Sequence, residues 1–459
     1  MAQFTAAQIV AATGGRLASG SGDARCSGVA TDSRAVGAGQ CFFALRGERF
    51  DGHDFVAPAL RAGAAGAVVS RVPEGLPLIG DEAFVVVVAD TLRALGDLAR
   101  LHRARFEVPV IGITGSTGKT TTKDMTAAIL ARRGPVAATP ENYNNEIGVP
   151  LALLSLAPGH HAAVIEMAMR APGEIAYLAS LAQPQIGVVT NVGLSHLERL
   201  GSADAIADAK GELVEALGRG TAVLNADDPY LERLARRAQG QVVTFGQGAA
   251  AQFRATAIAA SEQGVGFRLV APAGEVQVRL GLPGRYLVLN ALAAAAAAAQ
   301  AGAGLEQVAA GLASFSASRR RAEIIETAAG FRVVDDCYNA SPASMEAALE
   351  LLGDLRGERK IAILGDMLEL GTTAPELHRA LGAQAGLMGL DLVIAVGELG
   401  RWIADGAGAA MGPEGVRWAS SNEQAAQWAL DVLGRGDLVL VKASRAMAFE
   451  QIVGRLTGA

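Results

Sequence analysis

Between Val110 and Thr121 the chain reads Val-Ile-Gly-Ile-Thr-Gly-Ser-Thr-Gly-Lys-Thr-Thr. The pattern is a buried strand, a glycine turn and the start of a helix. A helix begun this way leaves its first backbone N–H groups unpaired, and such a terminus attracts anions. Gly115 and Gly118 allow the backbone to wrap closely around phosphate. Lys119 adds a point charge, and Thr120 offers a hydroxyl to Mg²⁺. Gly115, Ser116, Thr117, Gly118, Lys119, Thr120 and Thr121 are therefore expected to hold ATP. The usual spacing would place a glycine at 113, where this chain has Ile113, so the loop is a shortened G-x-x-G-K-T variant. The plainer alternative is a glycine turn that merely precedes a lysine.

A chain of 459 residues is too long for one core, and two to three domains are expected. With 51% hydrophobic residues it has ample material for packed cores. A net charge of −6 argues against a polyanion partner, so no nucleic acid is expected. The three cysteines, Cys26, Cys41 and Cys337, are scattered and suggest neither a zinc site nor a disulfide framework. The opening Met-Ala-Gln-Phe-Thr lacks the basic and apolar regions of an export signal. Asn290 to Ala303 is apolar but short and alanine-rich, which reads as a closely packed helix and not a membrane span. A soluble, cytoplasmic, monomeric protein is the expectation.

Apolar strands alternate with helices along most of the chain. Ala67–Val69 and Phe84–Ala89, followed by a helix from Thr91, suggest a small α/β unit. After the phosphate loop, strands are expected at Ala163–Glu166, Ile186–Thr190 and Ala222–Asn225. The stretch from Gln241 to Leu282 is alternating and glycine-rich, an antiparallel edge or β-insert. A third unit carries strands at 332–336, Lys360–Leu364, Leu392–Val396 and Leu438–Lys442, the pattern of a doubly wound sheet. The fold class is thus α/β, with mostly parallel sheets covered on both faces.

Several residues could carry chemistry. Glu166 ends an apolar strand, where a carboxylate reaches the crevice of an open α/β sheet. It reads as a partner for Mg²⁺, or else as a residue capping a helix or facing solvent. His196 follows the next strand and is either a ligand in the same crevice or a hydrogen-bonded structural histidine. By spacing alone, Lys210 is a solvated helix lysine. The turns Asn225-Ala-Asp-Asp-Pro229 and Asp335-Asp-Cys-Tyr-Asn339 could hydrogen-bond ribose or adenine, or be ordinary polar turns. Arg319, Arg320 and Arg321 form a basic run that is either a linker or a source of charge for a transferred phosphoryl group.

Taken together and in order, the phosphate loop, Glu166, His196, Asn225-Ala-Asp-Asp and Asp335-Asp-Cys-Tyr-Asn-Ala resemble the Mur ligase superfamily. Supporting segments are Asn142–Pro150, Glu166–Ile175, Leu364–Gly371 and Val441–Met447. Within the family, the chain is similar to the members that add D-alanyl-D-alanine to a UDP-N-acetylmuramoyl tripeptide. The resemblance implies a UDP-substrate domain (1–106), a central ATPase domain (107–315) and a Rossmann-like C-terminal domain (316–459). It assigns Ser33, Arg34, Phe43, Asp51 and His53 to the uridine nucleotide region, with Asn142 and Asn145 also on the substrate. It assigns Lys119 to the γ-phosphate, and Thr120, Glu166 and His196 to Mg²⁺. Lys210 matches a lysine carbamylated in these enzymes, a change that turns a repelled ammonium into an anionic ligand. Asn290 and Asp336 match adenosine contacts, Asn339 is a further candidate on the nucleotide, and Arg321 matches an arginine brought towards the phosphates by the third domain. The chain departs from the family at Glu141 and Ala168, where glycine is usual or frequent, and at Tyr286-Leu287, where His-Asn is usual.

The implied activity is ATP-dependent amide ligation through an acyl phosphate. Rival readings are a sister ligase on the same scaffold, such as a tripeptide-forming or folylpolyglutamate-type enzyme, and a nucleotide-binding relative without catalysis.

Overall fold

The computed structural model describes residues 2–74, 76, 83–316 and 320–458; Arg319 lies outside them. Among the described residues the strands form sheets of five, nine and six strands and one two-stranded ribbon.

In the N-terminal sheet Val29–Ala30, Cys41–Phe43, Gly66–Val69 and Phe84–Val87 run parallel, and Arg16–Ser19 closes one edge antiparallel. Asp90 then caps the helix Thr91–Arg103, its carboxylate accepting from the N–H groups of Leu92 and Arg93 at 2.8 and 3.1 Å. The helix buries Ala94, Leu95, Leu98 and Ala99 in a core that also contains Leu153, Met167 and Leu178. One apolar core therefore runs across the junction with the next domain.

Seven neighbouring strands of the central sheet are parallel, in the order Val136–Ala138, Ala162–Glu166, Val110–Thr114, Ile186–Val189, Thr221–Asn225, Gln241–Gly246 and Phe253–Ser261. β-branched runs without polar breaks suit strands buried on both faces. Because Val110–Thr114 lies between Ala162–Glu166 and Ile186–Val189 and runs parallel to both, the residues that follow all three emerge together at the carboxyl end of the sheet. The glycine-rich stretch resolves into two parts. Gln241–Gly246 joins the parallel sheet, while Phe253–Ser261, Gly264–Ala271 and Gly274–Leu280 extend it, the last two pairings being antiparallel. The alanine-rich segment is the helix Leu287–Gln300, with Ala291 to Ala298 entirely buried against the helix Lys119–Leu130 and the sheet.

The C-terminal sheet runs Glu323–Glu326, Arg332–Asp335, Leu438–Lys442, Lys360–Gly365, Leu392–Val396 and Val416–Ala419, with only the first strand antiparallel. Apolar clusters cover both faces. No helix of the described residues is long and apolar enough to cross a membrane.

Candidate active site

The phosphate loop is strapped to the strand beside it. Ser116 N–H donates to Asn191 O at 3.0 Å and Thr117 N–H to Asn191 Oδ1 at 3.1 Å. Asn191 Nδ2 donates back to Thr117 Oγ1 at 2.9 Å, and Thr190 Oγ1 to Thr117 O at 2.6 Å. Gly115 and Gly118 carry φ of +148° and +76°. A Cβ on Gly115 would lie 1.8 Å from Thr190 Oγ1, and one on Gly118 2.2 Å from Asn290 Oδ1, so a side chain at either position is strained and forces its neighbour to shift. The helix Lys119–Leu130 has no side-chain cap, and its first internal bond runs from Thr122 N–H to Gly118 O. The N–H groups of Gly118 to Thr121 are thus left without helical partners. Lys119 Nζ donates to Gly115 O at 2.8 Å and to Ser116 O at 3.3 Å. Burial lowers the Lys119 pKa, opposed by the Glu166 carboxylate.

Glu166 is 1% exposed. Its Oε1 accepts from Asn144 Nδ2 at 2.7 Å, and its Oε2 is buried with no partner. A buried carboxylate oxygen without a donor is costly, and a cation would relieve the cost. Among the described residues no group of three or more His, Cys, Asp or Glu could hold a metal ion. A divalent cation here would therefore depend on Glu166, on its few neighbours and on phosphate oxygens. Thr120 Oγ1 accepts from Arg321 Nη2 at 3.0 Å. His196 has φ +65° and pairs through Nδ1 with Glu369 Oε2 of the C-terminal domain. Burial lowers the His196 pKa; Glu369 opposes this, and the charges of Lys119 and Lys210 add to it.

Lys210 corrects the reading from spacing. It is 2% exposed, on the inner face of the helix Ala203–Ala216 with Ile206, Leu213 and Val214. Burial, and after it the charge of Lys119, hold its pKa well below the ordinary lysine value.

Lys119, Thr120, Glu166, His196, Asn290, Arg321, Asp336 and Asn339 line one cleft of about 900 Å³, to which the N-terminal domain contributes Asp90 and Arg93. Lys210 does not line the cleft, although it lies within electrostatic reach of Lys119.

Three family models match in order: the Mur ligase family catalytic domain over residues 25–103, the Mur ligase middle domain over 113–298, and the Mur ligase glutamate ligase domain over 320–445. The UDP-N-acetylmuramoyl-tripeptide--D-alanyl-D-alanine ligase of Bacillus subtilis is 39% identical over 93% of this chain and 92% of its own length. The chain belongs to the Mur ligase family. Among solved Mur ligases, MurF from Acinetobacter baumannii superposes with a TM-score of 0.89 at 33% identity, covering 100% of both chains. The MurF ligase of Thermotoga maritima, solved in complex with ADP, gives a TM-score of 0.81 at 31% identity over 94% of this chain and 97% of its own.

The Mur ligase departures have structural correlates. Glu141 sits at φ +45°, a conformation that costs a side-chain-bearing residue energy and that glycine adopts freely. Ala168 N–H donates to Asn144 O at 2.9 Å on the cleft wall. Tyr286 packs against the apolar clusters of both the central and the C-terminal domains.

Other expected contacts are arranged differently. Asn290 Oδ1 is directed at the phosphate loop, accepting from Thr122 Oγ1 at 3.4 Å. Asn145 Oδ1 accepts from Gly148 N–H at 2.9 Å and so starts a helix, although the residue still lines the cleft. Asp336 accepts from Ala322 N–H and from the buried Lys442 Nζ at 3.2 and 2.6 Å. Asn339 Oδ1 accepts from Arg445 N–H at 3.3 Å.

Of the uridine-region set, Ser33, Arg34, Phe43, Asp51 and His53 do not line this cleft. Phe43 has no exposed surface and packs with Phe4 and Phe84, so it supports that region from beneath and cannot touch a ligand. His53 is buried, its Nδ1 on Asp51 Oδ1 and its Nε2 accepting from Ser70 N–H. Arg34 forks onto Asp32 at the surface. Sequence reasoning gave no role to Asn144, Asn191, Glu369 or Lys442, although Asn144, Glu369 and Lys442 lie in segments it quoted and Asn191 directly follows another.

Proposed function

We propose that this chain joins D-alanyl-D-alanine to a UDP-N-acetylmuramoyl tripeptide, using ATP and passing through an acyl phosphate. The single observation that carries the mechanism is the meeting, in one cleft, of the phosphate loop, the orphaned Glu166 oxygen and Arg321 from the C-terminal domain. The named specificity of the full-length relatives supports the choice of substrates.

The terminal carboxylate of the tripeptide attacks the γ-phosphorus, and ADP leaves. The N–H groups of Gly118 to Thr121 cradle the phosphates, while Lys119 and Arg321 take up charge that spreads over the phosphoryl oxygens. Glu166, Thr120 and His196 would hold Mg²⁺, which supplies charge neutralisation between the phosphates when bound. The amine of D-alanyl-D-alanine then attacks the acyl carbon. A tetrahedral intermediate forms, the C–O bond to phosphate breaks, and the nitrogen loses a proton. Seating of the C-terminal domain over the loop keeps water from the acyl phosphate.

Lys210 is held towards its neutral form, the form that reacts with carbon dioxide to give a carbamate. The resulting anion would offset the positive field of Lys119.

The test is phosphate release from ATP with tripeptide and dipeptide, each omitted in turn. Release should require both. ATP binding without turnover in the complete mixture would instead mark a non-catalytic relative. Lys119→Ala should abolish turnover with the fold retained, and near-normal ligation would refute its role. Lys210→Ala should be crippled and partly rescued by short carboxylic acids.

A further inference from the structure

Glu369 lies in the C-terminal domain, 173 residues from His196 along the chain, yet its carboxylate is bonded to His196 Nδ1. The contact is doubled by backbone, since Glu198 N–H donates to Glu369 O at 3.0 Å. Gly371 also lies against this segment: a Cβ there would be in ordinary contact with Glu198 Cα, at 3.4 Å.

The loop that presents Glu369 is braced from below. Met367 N–H donates to His378 Nε2 at 2.8 Å, and Leu368 N–H to Ser444 Oγ at 2.9 Å. Thr373 Oγ1 donates to Leu370 O at 2.8 Å. Both partners have left-handed backbones, His196 at φ +65° and Glu369 at φ +64°. Such conformations persist in residues other than glycine where the surroundings over-determine them. Here the surroundings of each include the other.

The chemistry of this pair is directional. A carboxylate only accepts, so His196 Nδ1 must carry the proton. The lone pair is then on Nε2, which has no hydrogen-bond partner among the described residues, in a residue that lines the cleft. A carboxylate behind an imidazole fixes its tautomer and ring orientation and raises its basicity as a ligand.

We propose that Glu369 is a positioning residue: by holding Nδ1–H of His196 it presents Nε2 to the metal-nucleotide, and it does so only while the C-terminal domain is seated. Completion of the cation site and domain closure thereby become one event. The inference rests on the reading of His196 as a metal ligand.

The experiment is Mn²⁺ titration of the full chain by electron paramagnetic resonance with a non-hydrolysable ATP analogue, which requires no turnover. Glu369→Ala should weaken Mn²⁺ binding by about 10-fold or more, the range seen for partners behind a ligating histidine. His196→Ala should weaken it at least as much, and the double variant no further. Glu369→Gln should retain most of the affinity, because its amide oxygen still accepts from Nδ1–H. Neither Glu369 substitution adds a new left-handed penalty, since the native residue already carries it. Wild-type affinity in Glu369→Ala beside weakened His196→Ala overturns the positioning role. Equal loss in Gln and Ala variants also overturns it, in favour of charge alone. Wild-type affinity in His196→Ala shows instead that the ligand reading of His196 fails.

Discussion

Arg321 Nη2 donates to Thr120 Oγ1 across 201 residues of chain, and its guanidinium lies 4.2 Å over the ring of Tyr338. A planar cation stacked on an aromatic face is already oriented before any phosphate arrives. Its cost of ordering is met in folding and not at the moment of reaction.

Arg321→Ala should therefore lower kcat by about 10²- to 10³-fold, the loss typical of one preorganised charge-stabilising group. Arg321→Lys should recover little, because an ammonium has neither the fork nor the flat face. Phosphate release at saturating substrates reads the effect. Wild-type kcat in Arg321→Ala would remove the residue from the charge balance.

Glu166→Gln separates function from stability. The change removes a buried negative charge whose Oε2 has no donor, while an amide oxygen can still accept from Asn144 Nδ2. Tm should change little, because relief of the donorless Oε2 is offset by loss of the attraction to Lys119. Ligation should fall by about 100-fold or more, since loss of a ligand exceeds the loss of an outer-shell partner. A melt and an activity assay on the same sample check both halves. Full activity would place the cation elsewhere.

The phosphate loop and the central strands were legible because they are local. Val110–Thr114 is a mostly apolar run followed directly by Gly115, and its meaning does not depend on distant residues. The strand Glu323–Glu326 was not legible, since four residues reading Glu-Ile-Ile-Glu show no clear period. Burial was the harder quantity. Lys210 reads as solvated because spacing cannot say which helix face the sheet will cover, and Phe43 is placed on the ligand by resemblance alone, which carries no information about burial. Asn144, Asn191 and Glu369 act through partners 22, 74 and 173 residues away. Contacts of that kind exist only once the topology has been made.

Acid should loosen the C-terminal domain through His378. The ring is wholly buried; Nε2 accepts from Met367 N–H and Nδ1 faces Ala374 O at 2.6 Å. Burial lowers its pKa below the ordinary 6.5, opposed by the Ala374 carbonyl and the Asp366 carboxyl. The unfolded chain then takes up the proton first as pH falls. This contribution to stability is fully present above about 6.5 and is lost progressively as pH drops through the folded pKa. His378→Gln, which keeps an acceptor for Met367 N–H without titrating, should show a smaller fall in Tm between about pH 7 and pH 5. An unchanged fall would assign the acid sensitivity to other groups.

Gly118 and Asn290 should be coupled. Gly118→Ala meets two obstacles, a φ of +76° and the Asn290 Oδ1 atom 2.2 Å from the new Cβ. The first costs about 1–2 kcal/mol whatever the neighbour is. The second adds overpacking of about 1–3 kcal/mol and depends on Asn290 being there. Asn290→Ala alone loses only a long hydrogen bond from Thr122 Oγ1 at 3.4 Å. The double variant should thus be more stable than the sum of the two single losses, by about 1–3 kcal/mol of coupling. Denaturant unfolding of the four proteins measures it. Strict additivity would mean that the loop shifts to clear the methyl group without help from Asn290, and that its rigidity is set instead by the Asn191 strap.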